Sequence, residues 1–583
     1  MKNQQIAKIF GEIAELLELK GENVFRIRAY QRAAQNLDGL SKDVSTLSRE
    51  ELESIPGIGK DLAGKIREYL ETGIILKHEE LKKEIPEGVL QLLSVPGLGP
   101  KKAMMLHEKI KVKSVDELEA AILQGKLAGL PGIQKKSVEN ILHGVELIKR
   151  GTDRRLLGRV LPIAEDMVKR IKDGAPVGRI EVAGSIRRWK ETVKDIDILT
   201  TSKDPKRVMD VFCELPSVDR VLAHGDTKSS VVTEDGVQVD LRVVDEESFG
   251  AALQYFTGSK QHNIRLREMA VRAGLKINEY GVFRESGKKK IGGKEEEDVY
   301  KALKLPYIPP ELREDTGEIE AALHGKLPDL VTVNDIKGDL HVHTQRSDGS
   351  HDLDTIVEAA KKKGYQYIAI TDHTKGLGVA HGLDEKRLVE EIKLIDHANA
   401  KLEGFNILKG TEIDIRSDGS LDLPDSALSM LDIVVASIHS GFKQTKEQLT
   451  KRILSAIRNP FVSVIAHPTG RLIGERDAYA IDMDAVLKAA AKYSVAMEIN
   501  ANPLRLDLND LYIKMAIRYS VPLVISTDMH VVSQFDFMDY GVSIARRGWG
   551  EKKDVLNALS YELLMKRLKA CKTNKLKKVK TAS

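Results

Sequence analysis

Cysteine is almost absent from this chain, with only Cys213 and Cys571 in 583 residues. Two cysteines exclude a disulfide framework and fit a reducing cytosol. Net charge is nearly absent as well. Lys and Arg number 91 against 87 Asp and Glu, giving +4 at pH 7, so any affinity for nucleic acid must come from local patches. No apolar run is long enough to span a bilayer, and the opening MKNQQIAKIF lacks a signal-peptide core. These absences predict a soluble cytoplasmic protein without a membrane partner. The chain does have length and polarity, with 42% hydrophobic and 31% charged residues. It exceeds one core, and roughly three to five domains are expected.

The C-terminal part repeats one pattern, an apolar run that ends in histidine or carboxylate. The endings are LHVHT (His341, His343), IAITDHT (Asp372, His373), LKGTEIDI (Glu412), VVASIHS (His439), VSVIAHP (His467), MEINANP (Glu498, Asn500) and VISTDMH (Asp528, His530). Continuous β-branched runs read as buried parallel strands. A barrel carries its chemistry at the C-terminal ends of its strands, so all these groups belong to one rim. Imidazoles and carboxylates gathered at one mouth predict a multinuclear metal site.

At the other end, short helices alternate with Pro-Gly turns: ESIPGIGKDLAGKI, LLSVPGLGPKKAMML and LAGLPGIQKKSVENI. Paired glycines let backbone amides face an anion at a helix N-terminus. The candidate backbone-phosphate contacts are Gly57, Gly59 and Lys60 in the first turn, and Gly97, Gly99, Lys101 and Lys102 in the second. Gln134 replaces the second glycine of the third. The pattern is similar to the helix-hairpin-helix motif, a sequence-independent DNA binder.

In the middle, VKDIDILTT places Asp195 and Asp197 on one strand face, with Ile196 and Ile198 turned to the core. In VQVDLRVV the same alternation groups Asp240 with Gln238 and Arg242. If the strands pair, three carboxylates converge and need divalent cations, which describes a Mg²⁺ (or Mn²⁺) site for phosphoryl transfer. Upstream, VAGSIRRWK offers Arg187 and Arg188 to a triphosphate.

Taken in order, the paired hairpins, GSIRR, DID, HGDTKSS, VDLRV, YFTGS and INEY resemble the palm and thumb of the family X DNA polymerases, the group of DNA polymerase beta, over roughly residues 1 to 320. The resemblance implies that Asp195, Asp197 and Asp240 are catalytic metal ligands, with Asp240 near the primer 3′-hydroxyl. It implies that Ser185 and Arg188 hold nucleotide phosphates and that Tyr255, Phe256 and Gly258 line the sugar pocket. Asn263 would reach the incoming base, Arg267 the template strand, and Arg242 either DNA or an aspartate awaiting metal. Val193, Lys194 and His262 depart from the family pattern around the nucleotide. Lys65 falls where lyase members carry a Schiff-base lysine; Asp61 and Gly64 replace their companions, and a DNA-contacting lysine is the alternative.

HVHTQRSDGS, TDHT, GTEIDI, SIHS, AHPTGR and STDMHV resemble the polymerase-and-histidinol-phosphatase (PHP) domain, a distorted seven-stranded barrel with three metals. The resemblance implies one metal on His341, His343, Glu412 and Asp528. A second would sit on Glu412, His439 and His467, and a third on Asp348, His373 and His530, each Mn²⁺ or Zn²⁺. Arg471 is the candidate phosphate contact.

The expected fold is therefore multidomain. Residues 1–150 would form an all-α helix-hairpin-helix region, 151–258 an α/β nucleotidyltransferase palm and 259–316 an α+β thumb. A linker would follow at 317–336, then a (β/α)7 PHP barrel at 337–570 and a frayed basic tail at 571–583. The expected function is gap-filling synthesis from dNTPs on gapped or nicked DNA, by a monomer associated with the nucleoid through DNA. The barrel would act as a 3′-5′ exonuclease, with abasic-site cleavage a further activity. The rival readings are a non-catalytic DNA-end scaffold and a barrel acting as a small-molecule phosphatase.

Overall fold

The computed structural model describes residues 2–38, 44–85 apart from 54 and 56, parts of 89–145, 154–284 and 289–582. The chain divides into two compact units. The first comprises Met1–Arg155, Arg159–Arg187 and Thr192–Leu323. The second comprises Leu156–Gly158, Arg188–Glu191 and His324–Ser583.

The first unit begins with helices, including Lys2–Leu19, Val24–Asp38, Lys60–Thr72, Pro100–Ile110 and Val115–Leu123. Their apolar stripes share one core, where Phe10 meets Tyr30 edge-on at 5.5 Å and Ile66, Leu81 and Leu118 are fully buried. A five-stranded sheet follows, in the order Val177–Val182, Asp195–Ser202, Gln238–Val243, Lys228–Thr233, Val218–His224. Strands Asp195–Ser202 and Gln238–Val243 run parallel, in the register Asp197 opposite Asp240; the other pairs are antiparallel. The alternation anticipated from sequence is present, since Ile196, Ile198, Val239 and Leu241 are buried and the aspartates lie on the other face. Helix Lys260–Arg272 and the short strands Leu275–Asn278, Gly281–Arg284 and Lys290–Gly292 complete the unit's β-rich end.

The stretch 317–336 is not the coreless linker expected from its prolines and charges. It contains helix Glu318–Leu323, which buries Glu318, Ile319 and Ala322, and a 3-10 turn at Val333–Asp335. The Glu318 carboxylate accounts for the difference, because it bonds the His262 ring at 2.7 Å and accepts the Asp315 and Thr316 amides.

The second unit is the seven-stranded parallel sheet foreseen: Gly338–Val342, Tyr367–Ile370, Asn406–Asp414, Ile433–Ser437, Val464–Ile465, Ala496–Asn500 and Leu523–Ser526, paired in chain order. The ends approach closure, with a bridge from Val342 to Met529 and the His343 amide donating to the Met529 carbonyl at 3.0 Å. Most of these strands are buried along their whole length, as runs of Val, Ile and Ala require. Five helices start at side-chain caps: Asp352, Asp384, Thr445, Asp482 and Asn509. Each cap satisfies an amide that the first helical turn would leave open. The tail is not frayed; helix Tyr561–Ala582 docks Leu564, Leu568 and Lys575 into the unit.

Candidate active sites: an aspartate patch and a histidine-carboxylate rim

In the first unit, parallel pairing sets Asp197 directly opposite Asp240, and Asp195 leaves the same face. Burial, then the charges of Asp195 and Asp240, push the Asp197 carboxyl up to about 7. Asp195 is raised too, mainly by burial. Asp240 has cations in reach, Lys228 and Arg242 each at 3.6 Å, and accepts a hydrogen bond from Gln238 at 3.0 Å. Gly184 closes one side of the patch. Its φ of +65° favours glycine, and a Cβ there would stand 2.9 Å from Asp197 Oδ2. The following short helix, Gly184–Arg187, carries Ser185.

Arg187 is not free for a triphosphate, as its sequence position suggested. It pairs with Glu296 through two bonds of 2.7 Å and donates to Thr257 Oγ1 at 2.8 Å. Glu296 also takes Arg313 at 2.5 Å and the Tyr307 hydroxyl at 3.0 Å, and the net effect holds its carboxyl at about 2 against the cost of burial. Glu296, Arg313 and Tyr307 were not anticipated, because a lone charge in a loop carries no sequence signal of burial.

Tyr255 and Phe256 meet edge to face at 5.1 Å, and Arg242 lies over the Phe256 ring at 4.5 Å. Gly258 ends their helix with φ of +70°, and Ser259 caps the next by accepting from the His262 amide. Asn263 is held closely: its Oδ1 accepts from Gln254 and its Nδ2 donates to the Tyr255 carbonyl. Arg267 donates to the Asn263 carbonyl at 3.2 Å. His262 does not face this site; it is fully buried between Glu318 and Tyr300. Arg188 starts the Arg188–Glu191 segment of the second unit.

Among the hairpin residues, Gly57 adopts φ of +81° with the Arg32 side chain packed against it. Gly59 begins helix Lys60–Thr72 with no side-chain cap, leaving first-turn amides open. Lys65 pairs with Asp61, and its ammonium lies 6.0 Å from the Tyr30 ring centroid. Lys102 lies in helix Pro100–Ile110; Gly97, Gly99, Gln134 and the Lys101 side chain lie outside the described residues.

In the second unit, Glu412 is the centre. Its Oε2 faces His341, His343 and His373 at 3.2, 3.5 and 3.0 Å; its Oε1 faces His439 and His467 at 3.3 and 3.0 Å. A carboxylate with histidines on both oxygens has the geometry of a bridging ligand. Three overlapping sets could each hold an ion: His341, His343, Glu412 and Asp528; His343, Asp348, His373 and His530; and His373, Glu412 and His439. All nine expected positions are therefore brought together, His467 through Glu412.

The donor atoms fit metal ions. His341 Nε2, both His343 nitrogens, His373 Nδ1, His467 Nδ1 and Glu412 Oε2 are buried without a hydrogen-bond partner. So many orphaned donors at one point call for cations. Burial disfavours charge throughout the cluster. His343 is driven to about 3 by burial and the neighbouring His373, while His439 is raised to about 9 because Glu412 and Asp414 outweigh its burial.

Further carboxylates aim the ligands. His341 Nδ1 lies 2.7 Å from Glu498 Oε1, and Glu498 Oε2 accepts the His467 amide at 2.6 Å. Asp414 lies 3.4 Å from His439 Nδ1, and the Asp528 carbonyl lies 2.9 Å from His530 Nδ1. The Nδ1 contacts leave Nε2 of His341, His439 and His530 pointing inward. Buried Asp339 accepts the His341 amide and the Thr527 amide and hydroxyl. Asp339 and Asp414 were missed, although the latter stands two residues beyond Glu412 on the same strand.

Arg471, the anion contact expected from HPTGR, is already occupied in this structure. Its guanidinium is bonded to Glu191, in the Arg188–Glu191 segment of the same unit, and to the Arg505 and Leu506 carbonyls. Arg505 stands nearer the cluster, with Nε 3.8 Å from Asp528 Oδ2.

Comparisons with known proteins agree with this anatomy. Residues 1–75 match a helix-hairpin-helix domain and 89–145 a SAM-like helix-hairpin-helix tandem. Residues 252–314 match the DNA polymerase beta thumb, and 339–502 the PHP domain. The chain is 28% identical to DNA polymerase lambda of Rattus norvegicus over 344 residues, 54% of this chain and 56% of that one. A protein of Thermoanaerobacter sp. named as a probable phosphatase is 36% identical over 207 residues, 33% of this chain and 78% of its own. The DNA polymerase/3'-5' exonuclease PolX of Bacillus subtilis is 42% identical over 565 residues, 96% of this chain and 98% of the relative. With identity at that level along nearly the whole of both chains, this chain belongs to the family X DNA polymerases that carry a C-terminal PHP domain.

Proposed function

We propose that the chain fills short gaps in DNA by nucleotidyl transfer at Asp195, Asp197 and Asp240, and trims 3′ ends at the histidine-carboxylate rim. The observation that carries the reading is the presence of two separate clusters, each short of positive charge or of hydrogen-bond partners until cations arrive. Bound cations would supply charge neutralisation and activation of a hydroxyl or water at each site. The three aspartates hold Mg²⁺ or Mn²⁺, and Lys228 and Arg242 steady Asp240 beforehand. Ser185 and Arg188 receive the triphosphate, while Tyr255, Phe256, Gly258 and Asn263 shape the sugar and base pocket. Arg267 and the hairpin residues Gly57, Gly59, Lys60, Gly97, Gly99, Lys101 and Lys102 hold the template-primer backbone, and Lys65 adds a DNA contact.

At the rim, Glu412 and the histidines around it would hold Mn²⁺ or Zn²⁺, since imidazole and carboxylate donors accept either. Glu498 and Asp414 fix ring orientation, and Arg505, rather than Arg471, faces the scissile phosphate. The partners are gapped or nicked DNA and dNTPs, in the cytoplasm at the nucleoid.

A labelled primer facing a short gap tests both halves, with Mg²⁺ or Mn²⁺ and with or without dNTPs. Extension in the parent and shortening without dNTPs are expected. A parent that does neither would leave a DNA-end scaffold as the better description. The barrel's likeness to proteins named as phosphatases favours a second reading, small-molecule phosphatase activity. Turnover of free phosphate monoesters with no action on DNA ends would establish it.

A further inference from the structure

Beyond the ligands, the second unit carries two half-buried arginines, Arg505 beside Asp528 and Arg476, which has no ion pair among the described residues. Arg476 follows the His467 loop and donates from Nε to the Gly470 carbonyl at 2.9 Å. Its guanidinium carbon lies over the Phe442 ring, 4.3 Å from the centroid, and Phe442 stacks on Tyr479 at 5.8 Å. Phe442 lies three residues beyond His439 in the loop that follows strand Ile433–Ser437. Among the described residues the terminal nitrogens of Arg476 make no hydrogen bond and no ion pair. Arg505 has one ion pair, from Nε to Asp528 Oδ2 at 3.8 Å, and its terminal nitrogens make no hydrogen bond among the described residues.

Both arginines are half-buried, and they repel each other. Burial, then Arg505, lowers the Arg476 guanidinium below its usual range, with only Tyr479 and Glu475 opposing at a distance. Asp528 answers Arg505, whereas the partly desolvated Arg476 guanidinium pairs with no carboxylate among the described residues, and a bound anion resolves that cost. With Nε held by the Gly470 carbonyl, both terminal nitrogens are left for a ligand, and such a pair of donors is what binds phosphate bidentately.

We propose that Arg476 holds the backbone phosphate next to the scissile one, so that the rim reads two consecutive phosphates of a single strand. The inference rests on the assignment of the barrel as a 3′-5′ exonuclease, with Arg505 at the scissile phosphate. It explains how a rim built on a phosphatase-like barrel selects a strand over a simple ester, because a monoester offers nothing to Arg476.

The test uses the full chain with Mn²⁺ on thymidine dinucleotide, which has one phosphodiester, and on the trinucleotide, which has two. The parent should prefer the trinucleotide. Arg476→Gln keeps a donor for the Gly470 carbonyl and should raise the trinucleotide KM about tenfold, leaving the dinucleotide unchanged. Arg476→Lys should recover part of the loss. The salt dependence of the trinucleotide KM should fall by about 0.7 log unit per log unit in Arg476→Gln, the share of one single-strand phosphate. Equal losses on both substrates would mean that Arg476 only props the His467 loop and would overturn the proposal. No loss on either would overturn it too. A parent that cleaves neither substrate would instead overturn the exonuclease assignment, and this inference with it.

Discussion

The two sites solve the same electrostatic problem in opposite ways. The aspartate patch lies half-exposed on a sheet face, and the protein supplies provisional cations, Lys228 and Arg242, within 3.6 Å of Asp240. The rim is buried. His341, His343, Glu412 and Glu498 are essentially without solvent contact, and their neighbours are mostly other ligands. An exposed, provisionally neutralised patch suits hard ions that come and go with a nucleotide, whereas a buried, orphaned cluster suits resident ions. Family membership does not show this contrast; the burial and partner patterns do.

The largest effect should come from breaking each site alone. Asp195→Ala with Asp197→Ala should lower primer extension about a thousandfold or more and leave 3′ shortening intact. His341→Ala with His343→Ala should do the reverse. A single pair of substitutions that abolished both activities would mean the sites are not independent, and the comparison would lose its basis.

Removing metal comes next. Because the rim's orphaned donors are buried, chelation should lower the melting temperature of the barrel-containing unit by several degrees, the effect of an ion present at about a hundred times its dissociation constant. The aspartate patch has its own cations and should show little change. Equal sensitivity in both units, read by calorimetry with and without chelator, would contradict the distinction between resident and transient ions.

The carboxylates that aim the histidines should matter less than the ligands themselves. Glu498→Gln and Asp414→Asn keep size but weaken the pull on His341 and His439, so affinity of the rim for Mn²⁺ should fall about 10- to 100-fold. Extension should not change. A metal titration showing no loss in either variant would remove these residues from the site.

These orienting carboxylates mark where the sequence stops being informative. Strand alternation was enough to place Asp195, Asp197 and Asp240 on one face, because a period of two leaves no other choice. Strand-end position was enough to gather eight of the nine rim residues, because parallel strands of one barrel share a mouth; Asp348, in the turn after His343, came only with the family resemblance. Position along the chain cannot tell a ligand from the residue behind it, and Asp414 and Glu498 end strands just as Glu412 does. Arginines were harder still. Arg187 and Arg471 stood beside the right motifs yet are consumed by Glu296 and Glu191, partners distant in sequence, while Arg476 and Arg505 carried no motif. The tail was misread for a related reason. Its lysines mask Leu564, Leu568, Cys571 and Lys575, which recur at helical spacing on the docked face.

Lys575 gives the smallest effect and a control for the metal argument. It is a buried charge in the barrel unit, but its partner is the neutral Val462 carbonyl at 2.8 Å, and burial lowers its ammonium to about 8. An unfolded lysine titrates near 10.4. Between those values the unfolded chain binds more protons than the folded one, so stability from this group rises with pH across the window and is weakest below pH 8. The rise should be about 2 kcal/mol, or a few degrees of melting temperature, after allowance for partial exposure. Lys575→Met should flatten it, both in chelator and in Mn²⁺, because no metal ligand takes part. If the slope between pH 8 and pH 10 persists in Lys575→Met, or appears only when Mn²⁺ is present, the alkaline dependence belongs to the rim, and the floor of the barrel holds no buried charge of consequence.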